Sequence, residues 1–410
     1  MSIGSPFHPR TAPLNVKQQW REWSGYWASS TYADAHDIEY NAIREAAALI
    51  DVSPLYKYRV TGRDALALVD RVITRDASKM AVGQVFYTPW CDEHGKVIDD
   101  GTVHRVAEDE FFWTAADPQY RWLSLNARGL EVAIEDVTEA LAAVALQGPF
   151  ARAVLEAATE ESFEDLRYFR RRDSRLPGAS FEGGVLPADV SIGVSRTGYT
   201  GDLGYELWIP FERAADGWDA LVAAGRAYGI RPAGMLALDV VRLEAGLVLL
   251  EVDYTSARHA LNPEQNYSPY ELAMDRLVNL DKASDFVGRL ALRREQERGG
   301  PPRRLVGVQL NWNDIEASFS KQGLPPAISP SVDRSAVPAY APNGTRQVGK
   351  VTSLGWSPIL KQAIGLASVS PAYEAPGSRL AVEWTVEGHR GRVGATVVPL
   401  PFLDLPRKRA

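Results

Sequence analysis

The sequence predicts an α+β fold in which a mixed body of helices and strands precedes a smaller all-β unit. Segments of helical and strand periodicity alternate through residue 292, an Arg-, Gly- and Pro-rich stretch interrupts them, and only short alternating segments follow. The chain has 410 residues, which is enough for two or three compact units. A two-part architecture with a sizeable core is therefore expected.

The body is predicted from four clear patterns. Residues Glu39 to Ile50 place small and apolar side chains at helical spacing, and the following Asp-Val-Ser-Pro54 ends that predicted helix. LYKYRVTG predicts a strand and RDALALVDRVI the next helix. VHRVAEDEFFWTAA predicts two strands around an acidic turn, and ADGWDALVAAGRAYGI predicts a helix closed by Gly229.

The domain boundary is predicted where RREQERGGPPRR interrupts the apolar pattern. This divides the chain into an N-terminal segment (1–35), a body (36–292), a linker (293–304) and a C-terminal unit (305–410). In the last unit, segments such as LVGVQLNW, QVGKVTSLGW and RLAVEWTV are separated by Pro, Gly and Asn. Such spacing is typical of a small β-barrel or sandwich.

Composition excludes several functional classes. The chain carries 52 acidic and 45 basic side chains, a net charge of -7, which argues against a nucleic-acid partner. The single cysteine, Cys91, cannot form an internal disulfide, and no Cys/His spacing indicates a metal site. With no secretory signal and no apolar run long enough to span a bilayer, we expect a cytoplasmic location and no membrane partner.

The densest motif runs from Ser195 to Trp208, SRTGYTGDLGYELW. Its three glycines permit sharp turns and close approach to a ligand, and it contributes Tyr199, Glu206 and Trp208 as rings and a carboxylate. The alternative is a glycine-rich hairpin whose aromatic side chains only pack. It is not a phosphate loop, because the Gly-Lys-Ser/Thr ending is missing.

Two further motifs carry charge. Asp99 and Asp100 follow a turn at Gly95, so alternation in the strand places one of them inward, where a carboxylate can act as a base or hold a cation. A solvated acidic turn is the alternative. In LDVVRLEAG, Arg242 could hold a ligand carboxylate, or form an ion pair with Asp239 one helical turn away. The histidines are isolated in the sequence.

The order of these motifs resembles the glycine-cleavage T-protein family of tetrahydrofolate-dependent aminomethyl- and methyltransferases. The series comprises DVS (51–53), Tyr87 and the Asp99-Asp100 strand, QGP (147–149), SRTGYTGxxGYE, RLEAG, DFVGR and TSxGxSP (352–358). The resemblance covers roughly residues 35 to 400. It implies a folate-binding body of interlocked α/β units followed by a C-terminal β-barrel, with tetrahydrofolate as the cofactor.

The resemblance also implies roles for individual residues. Glu206 would accept hydrogen bonds from the pterin, with Tyr199 lining the same pocket. Asp100 matches the catalytic carboxylate near the reactive nitrogens, and Tyr87 matches an upstream aromatic residue of that site. Arg242 and the turn at Trp356 would close the folate channel.

Departures from the family pattern concern the donor side. The family's DVSH is DVSP here, ending in Pro54; its Arg before RLEAG is Leu238; and its Val-Val-Asn strand end corresponds to Thr114–Asp117, which lacks the Asn. The GYE triplet is followed by Leu207-Trp208. Asp100 and Glu206 remain, so we expect folate handling to be kept and the one-carbon donor to differ.

This pattern looks most like the branch that demethylates methoxylated aromatic acids of the vanillate or syringate type. A methoxybenzoate needs a flat apolar slot, for which Trp208 and Val103 are suited, and a cation for its carboxylate, for which Arg105 is suited. Tyr199, with an ordinary pKa near 10, would protonate the phenolate that leaves, unless it only packs.

Other functions stay open at this point. One is the glycine-cleavage aminomethyltransferase itself, which needs a lipoyl carrier protein as partner. A second is demethylation of a methylated amine or sulfonium compound, whose cation would be held against aromatic rings. A third is a folate-binding factor without catalysis. In each of the enzymatic alternatives, the other partner is a small-molecule donor.

Overall fold

The structure is a computed structural model that describes residues 2–181, 184–186 and 188–409, and the side chains of 179–187 are outside the description. Three sheets, a short β-ribbon and a closed barrel make up the described chain. None of the helices in these residues combines the length and apolar content needed to cross a bilayer. The mixed α+β architecture with a C-terminal barrel is confirmed.

The N-terminal segment forms a small sheet of its own. Its strands are β1 (Ile3–Gly4), β2 (Trp20–Trp23) and β3 (Tyr26–Ser29), with the short helix α1 (His8–Thr11) between the first two. The order is β1-β3-β2, with β1 parallel to β3. The sheet covers one side of the body.

A six-stranded sheet with the order β11-β14-β15-β10-β4-β16 forms the first half of the body. Its strands are β4 (Ala48–Asp51), β10 (Leu141–Gln147), β11 (Arg171–Leu176), β14 (Val190–Ser195), β15 (Gly204–Pro210) and β16 (Arg231–Pro232). The helices around it are α2 (His36–Glu45), α5 (Ala151–Thr159), α6 (Ala214–Gly225) and α7 (Met235–Glu244). Two separate cores cover its faces, one with α5 and α6 and the other with α2 and α7.

A five-stranded antiparallel sheet with the order β6-β7-β8-β5-β9 forms the second half. Its strands are β5 (Tyr56–Thr61), β6 (Val85–Cys91), β7 (Val97–Ala107), β8 (Glu110–Ala115) and β9 (Ala133–Asp136), and α3 (Ala65–Val72) and α4 (Tyr120–Asn126) pack on one face. The ribbon β12 (Ala179–Phe181) and β13 (Gly184–Leu186) projects between β11 and β14 in the chain.

The C-terminal barrel closes in the order β17-β20-β19-β18-β21-β22. Its elements are β17 (Arg304–Leu310), α9 (Trp312–Ser320), β18 (Val337–Tyr340), β19 (Gln347–Ser357), β20 (Gln362–Val369), β21 (Arg379–Val386) and β22 (His389–Val398). An additional helix, α8 (Arg289–Glu297), precedes it. This helix takes the first part of the predicted linker, so the irregular connection is shorter than 293–304.

The predicted helix over Glu39–Ile50 is wrong at its C-terminal end. Helix α2 stops at Glu45, and Ile50 lies in strand β4, opposite Ala145 of β10. Small and β-branched side chains that fit one face of a helix also fit a buried strand. Pairing with β10 on one side and β16 on the other decides in favour of the strand.

Candidate active site

The carboxyl pair on β7 divides between two environments. Asp99 is fully buried and accepts backbone hydrogen bonds from Ala116 at 3.0 Å and Asp117 at 2.9 Å, and one from the Gln119 side chain at 3.2 Å. Asp100 lies on the opposite face of the strand and is half-buried. Burial, with the charge of Asp100 beside it, raises the pKa of Asp99 well above its ordinary value. Asp99 therefore holds the end of β8, whereas Asp100 faces Tyr87 and Tyr254.

Two tyrosines hold the Asp100 carboxylate. The Tyr87 hydroxyl donates to Oδ2 at 2.6 Å, and the Tyr254 hydroxyl donates a short hydrogen bond to Oδ1. Burial raises the pKa of Asp100, and the two hydroxyl donors oppose that rise because they stabilise the charged form. Burial, followed by the charge of Asp100, raises the pKa of both tyrosines well above 10. The centre is a carboxylate that accepts hydrogen bonds from two phenol hydroxyls.

Tyr199 lies beside this centre, since its electrostatic interaction with Tyr87 helps to raise the pKa of that residue. The Tyr199 hydroxyl donates a short hydrogen bond to the carbonyl oxygen of Val248. Burial raises the pKa of Tyr199. Its proton is thus directed at the backbone and held more tightly than in an ordinary phenol, which disfavours the predicted role as acid.

Glu206 and Trp208 lie on β15 and point to the same side of the six-stranded sheet. One oxygen of Glu206 accepts a short hydrogen bond from Thr197. Burial raises the pKa of Glu206, and this hydrogen bond opposes the rise. Among the described residues, no protein donor is assigned to the other oxygen, Oε1. Glu206 therefore offers a free acceptor.

Trp208 joins the two sheets through ring contacts. Its ring lies 4.8 Å from Phe112 and 5.8 Å from His104, both edge-on. His104 is on the same face of β7 as Asp100 but four residues away, about 13 Å along the strand. Trp208 therefore packs between the two sheets and does not neighbour Asp100.

His104 is a buried imidazole that the sequence alone did not single out. Its Nε2 lies 2.9 Å from the Thr102 hydroxyl, and burial, with Arg171 nearby, holds its pKa well below the ordinary value. Within the described chain its Nδ1 has no hydrogen-bond partner, and neither has the Trp208 indole nitrogen. Two buried polar atoms are thus unsatisfied where these two rings meet.

Two glycines of the Ser195–Trp208 motif leave room for a neighbouring side chain of the protein. A Cβ at Gly198 or at Gly204 would come within 2.2 Å of the Gln147 side chain, which is buried and accepts a hydrogen bond from Thr200 at 2.7 Å. Both glycines are therefore needed so that Gln147 can fit against the hairpin. Close approach to a ligand does not explain them.

The structure does not bring the predicted slot of Val103, Arg105 and Trp208 together beside Asp100. Val103 and Arg105 lie on the face of β7 opposite Asp100, because side chains alternate and no bulge intervenes between residues 99 and 105. Val103 packs in the core under α3. Arg105 donates to the carbonyl of Met80 at 2.7 Å and to that of Glu108 at 3.0 Å. Neither can reach a donor beside Asp100.

We expect Arg105→Met to leave the KM for the one-carbon donor within twofold of the original value. Its hydrogen bonds to two backbone carbonyls would be lost, so the free energy of unfolding should fall by about 1–3 kcal/mol. Steady-state kinetics and denaturant unfolding measure the two effects, and the exposed Arg128→Met serves as control. A selective rise in donor KM would restore Arg105 to the site.

Arg242 is also placed differently from the prediction. It is 1% exposed, with its guanidinium 2.9 Å from Asp239, 2.7 Å from Asp253 and 2.9 Å from the Ser353 hydroxyl. The ion pair with Asp239, the alternative reading of this motif, is confirmed. All three guanidinium nitrogens are engaged with the protein, so Arg242 supports the site from behind and offers nothing to a ligand.

Trp356 does not face the body either. Its ring packs against the barrel core and lies 5.5 Å from Trp312. The neighbouring Ser357, which alternation turns to the other side, donates to Glu244 of α7 at 2.6 Å. The predicted part of Trp356 in closing a folate channel is therefore corrected.

Two models of known domains match this chain. The GCVT N-terminal domain model matches residues 10–282, and the glycine cleavage T-protein C-terminal barrel domain model matches residues 325–404. The chain belongs to the glycine-cleavage T-protein family. Members of this family are tetrahydrofolate-dependent one-carbon transferases, so tetrahydrofolate is the cofactor.

Individual relatives match nearly the whole chain. The aminomethyltransferase of Bacillus cytotoxicus is 31% identical over 92% of this chain and 92% of its own length. The trimethylamine-oxide aldolase of Ruegeria pomeroyi is 35% identical over 100% of this chain, which spans only 48% of that protein. The glycine cleavage system aminomethyltransferase T of Bartonella henselae has the same fold, with a TM-score of 0.79, 23% identity and 97% coverage of each chain.

The T-protein cofactor fits the donors and acceptors described above. A pterin ring presents amine and amide N–H groups, for which the free oxygen of the half-buried Glu206 is a suitable acceptor. Tyr87 and Tyr199 are aromatic side chains close to Asp100, on which a flat ring could stack. When bound, tetrahydrofolate would supply a nucleophilic nitrogen that accepts the one-carbon unit.

Sequence reasoning missed Tyr254, which contacts Asp100 from 154 residues further along the chain. It lies in a loop after α7, and its surroundings, EVDYTSARH, match no motif. Only the folded arrangement of the T-protein body brings it to the carboxylate.

Proposed function

We propose that this protein is a tetrahydrofolate-dependent methyltransferase whose donor is a small methylated cation, a quaternary ammonium or sulfonium compound. The observation that carries this proposal is the Asp100 carboxylate held by Tyr87 and Tyr254, with Tyr199 beside it. Aromatic faces around a carboxylate attract and desolvate onium ions. Demethylation of a methylated amine or sulfonium compound is one of the functions that the sequence left open.

The state of Tyr199 supports a cationic donor. Transfer of a methyl group from an aryl ether releases a phenolate, which needs an acid, whereas transfer from an onium ion releases a neutral molecule. Tyr199 directs its proton to the Val248 carbonyl. A reaction that needs no acid for the leaving group is consistent with that hydrogen bond.

The proposed methyl transfer also releases one proton. The donor loses its methyl group and its positive charge, the folate nitrogen gains the methyl group, and one proton leaves that nitrogen. Asp100 is the base we assign to that proton, with the two tyrosine hydroxyls holding its oxygens in place. The relative from R. pomeroyi, named for trimethylamine oxide, adds support for a methylated nitrogen compound.

Demethylation of a methoxylated aromatic acid is the second candidate. The tyrosine rings around Asp100 could stack on a flat substrate as well as on a cation. Arg105 and Arg242, the two arginines predicted to hold a ligand carboxylate, are bound elsewhere and do not anchor such a substrate. The sequence favoured this candidate, and the donor panel below includes it.

The test is anaerobic incubation of the protein and tetrahydrofolate with single donors, followed by chromatographic detection of 5-methyltetrahydrofolate. Glycine betaine and dimethylsulfoniopropionate represent onium donors, dimethylglycine a tertiary amine, and vanillate and syringate the aryl ethers. We expect product from an onium donor. Product only from an aryl ether would favour the second candidate, and none from any donor would overturn both proposals.

A paired substitution at Tyr87 tests the cation site. Tyr87→Phe keeps the ring and should raise the onium-donor KM less than about threefold, whereas Tyr87→Leu removes the ring face and should raise it about 3- to 30-fold. Initial rates at saturating tetrahydrofolate give the KM values. Trp27→Leu, on the exposed N-terminal sheet, is the control. Equal effects of Phe and Leu would contradict a contact between the cation and the ring.

A further inference from the structure

Three side chains with metal-binding chemistry meet at the surface beyond the end of strand β8. They are Asp117, two residues past that strand, and Glu251 and His259 from the loop that follows α7. One donor atom of each lies within 4.8 Å of the donor atoms of the other two. The three positions are too far apart in the sequence for their spacing to reveal the group.

Glu251 sets the orientation of the His259 ring. Its Oε1 lies 2.9 Å from Nδ1 of the imidazole. The same oxygen accepts a hydrogen bond from the backbone N–H of Ser256 at 3.1 Å, so the carboxylate is fixed within its own loop. A carboxylate can only accept, so it keeps a proton on Nδ1 and leaves the lone pair of the neutral imidazole at Nε2. Histidines that bind metals have this arrangement, with a carboxylate at the nitrogen that does not bind.

Asp117 faces the other ring nitrogen of His259. Its Oδ2 lies 3.4 Å from Nε2, yet this oxygen is enclosed and has no hydrogen-bond partner among the residues that the structure describes. Two ligand atoms bound tetrahedrally at about 2.1 Å from one zinc ion are about 3.4 Å apart. The spacing therefore fits two ligands of one cation, and the oxygen lacks the hydrogen bond that a direct contact with the imidazole would give it.

No lysine or arginine in the described chain forms an ion pair with either carboxylate of this group. The neighbouring Arg258 directs its guanidinium to the carbonyl of Pro118, at 2.8 Å. Burial raises the pKa of Asp117, and the charges of His259 and Arg258 oppose that rise. Two carboxylates thus share one imidazole, which leaves the group negative when that imidazole is neutral. A bound cation would balance this charge.

The same residues belong to the segments that build the Asp100 centre. The backbone N–H of Glu251 donates to the carbonyl of Tyr254 at 2.7 Å, in the loop whose tyrosine holds Asp100. The backbone N–H of Asp117 donates to Asp99 at 2.9 Å. A cation between the two segments would therefore join the loop of Tyr254 to the end of β8.

We propose that Asp117, Glu251 and His259 form a zinc site that fastens the Tyr254 loop to the end of β8. Asp117 Oδ2 and His259 Nε2 bind the ion, Glu251 orients the imidazole, and water completes the coordination, since the Glu251 and His259 side chains are about half exposed. Zinc accepts a mixed set of nitrogen and oxygen ligands, whereas magnesium and calcium prefer oxygen alone.

The test is calorimetric titration of the full-length protein with zinc chloride, after any affinity tag has been cut off and bound metal has been removed with a chelator. We expect one saturable site per chain. Asp117→Asn and His259→Gln should each bind zinc at least about tenfold more weakly, and magnesium and calcium at the same concentrations should not compete. Circular dichroism of the metal-free variants checks that the fold is kept.

His94→Gln is the matched control. This histidine is also exposed and lies 4.0 Å from a carboxylate, that of Glu93, but it belongs to no such group of three within the described residues. Its replacement should leave the zinc affinity within twofold. Absence of zinc binding, or the same affinity in all variants, would overturn the proposal.

Hydrogen–deuterium exchange tests the link between the two segments. Zinc should slow exchange in peptides that cover residues 114–119 and 250–260 of the original protein, and it should not do so in His259→Gln. Zinc binding without slower exchange would reject the fastening of the loop. Neither measurement uses tetrahydrofolate or a methyl donor, so its outcome is independent of the proposed function.

Discussion

Replacement of Asp100 by Asn is expected to lower kcat by about 10²- to 10⁴-fold, the usual contribution of a positioned base. The amide keeps the size of the carboxylate, and its one oxygen can still accept a hydrogen bond from one of the two tyrosine hydroxyls, while its NH2 group can only donate to the other. It cannot take up a proton. Rapid-quench measurement of 5-methyltetrahydrofolate from the best donor gives kcat, and thermal unfolding checks that the fold is kept.

Tyr254→Phe is the accompanying control. Removing one hydroxyl donor destabilises the charged carboxylate, so the pKa of Asp100 should rise and the acidic limb of the pH–kcat profile should move to higher pH. Activity on the alkaline side of that limb should stay within about fivefold. Asp100→Asn retaining a tenth or more of the original kcat would mean that another group accepts the proton.

Arg242→Met is expected to produce the largest loss of stability, about 3–5 kcal/mol in the free energy of unfolding, because it leaves buried carboxylates without their cation. Asp253 is fully enclosed, and Asp239 keeps only its contact with Arg334 at 2.7 Å. Denaturant unfolding followed by tryptophan fluorescence measures the loss.

Arg334→Met provides the comparison for that loss. Its side chain is one-third exposed and contacts the same Asp239, so its removal should cost less than about 1 kcal/mol. The Kd for tetrahydrofolate should not change in folded Arg242→Met, since Arg242 is buried behind the site. An unchanged stability together with a weakened Kd would return Arg242 to direct cofactor binding.

The sequence was sufficient for the architecture and for part of the site. The order of motifs singled out Tyr87, Asp100 and Glu206. Tyr87 and Asp100 lie on the paired strands β6 and β7 and form a hydrogen bond, and Glu206 lies on β15, which pairs with β14. Alternation along β7, applied from Asp100 onward, would also have excluded Val103 and Arg105. The three residues were assigned to one pocket although neighbouring residues of a strand point to opposite faces.

Other features could not be obtained from local patterns. Tyr254 reaches Asp100 through a loop whose path depends on α7 and the barrel, and no periodicity records such a path. The glycines of the hairpin predict close approach of some group, but whether that group is a ligand or Gln147 depends on tertiary packing. Secondary structure is limited in the same way. Ile50 lies in a strand because β4 pairs with β10, and the local sequence does not show that pairing.

The hydroxyl groups of β19 limit how far the two parts of this molecule can be treated as modules. Thr352 and Ser353 both donate to Asp253 at 2.6 Å, and Ser357 donates to Glu244 at the same distance. Both acceptors are buried carboxylates of the body. A barrel exchanged by gene fusion or recombination would therefore have to carry these three hydroxyls in register, so the barrel and the body are constrained to evolve as one unit.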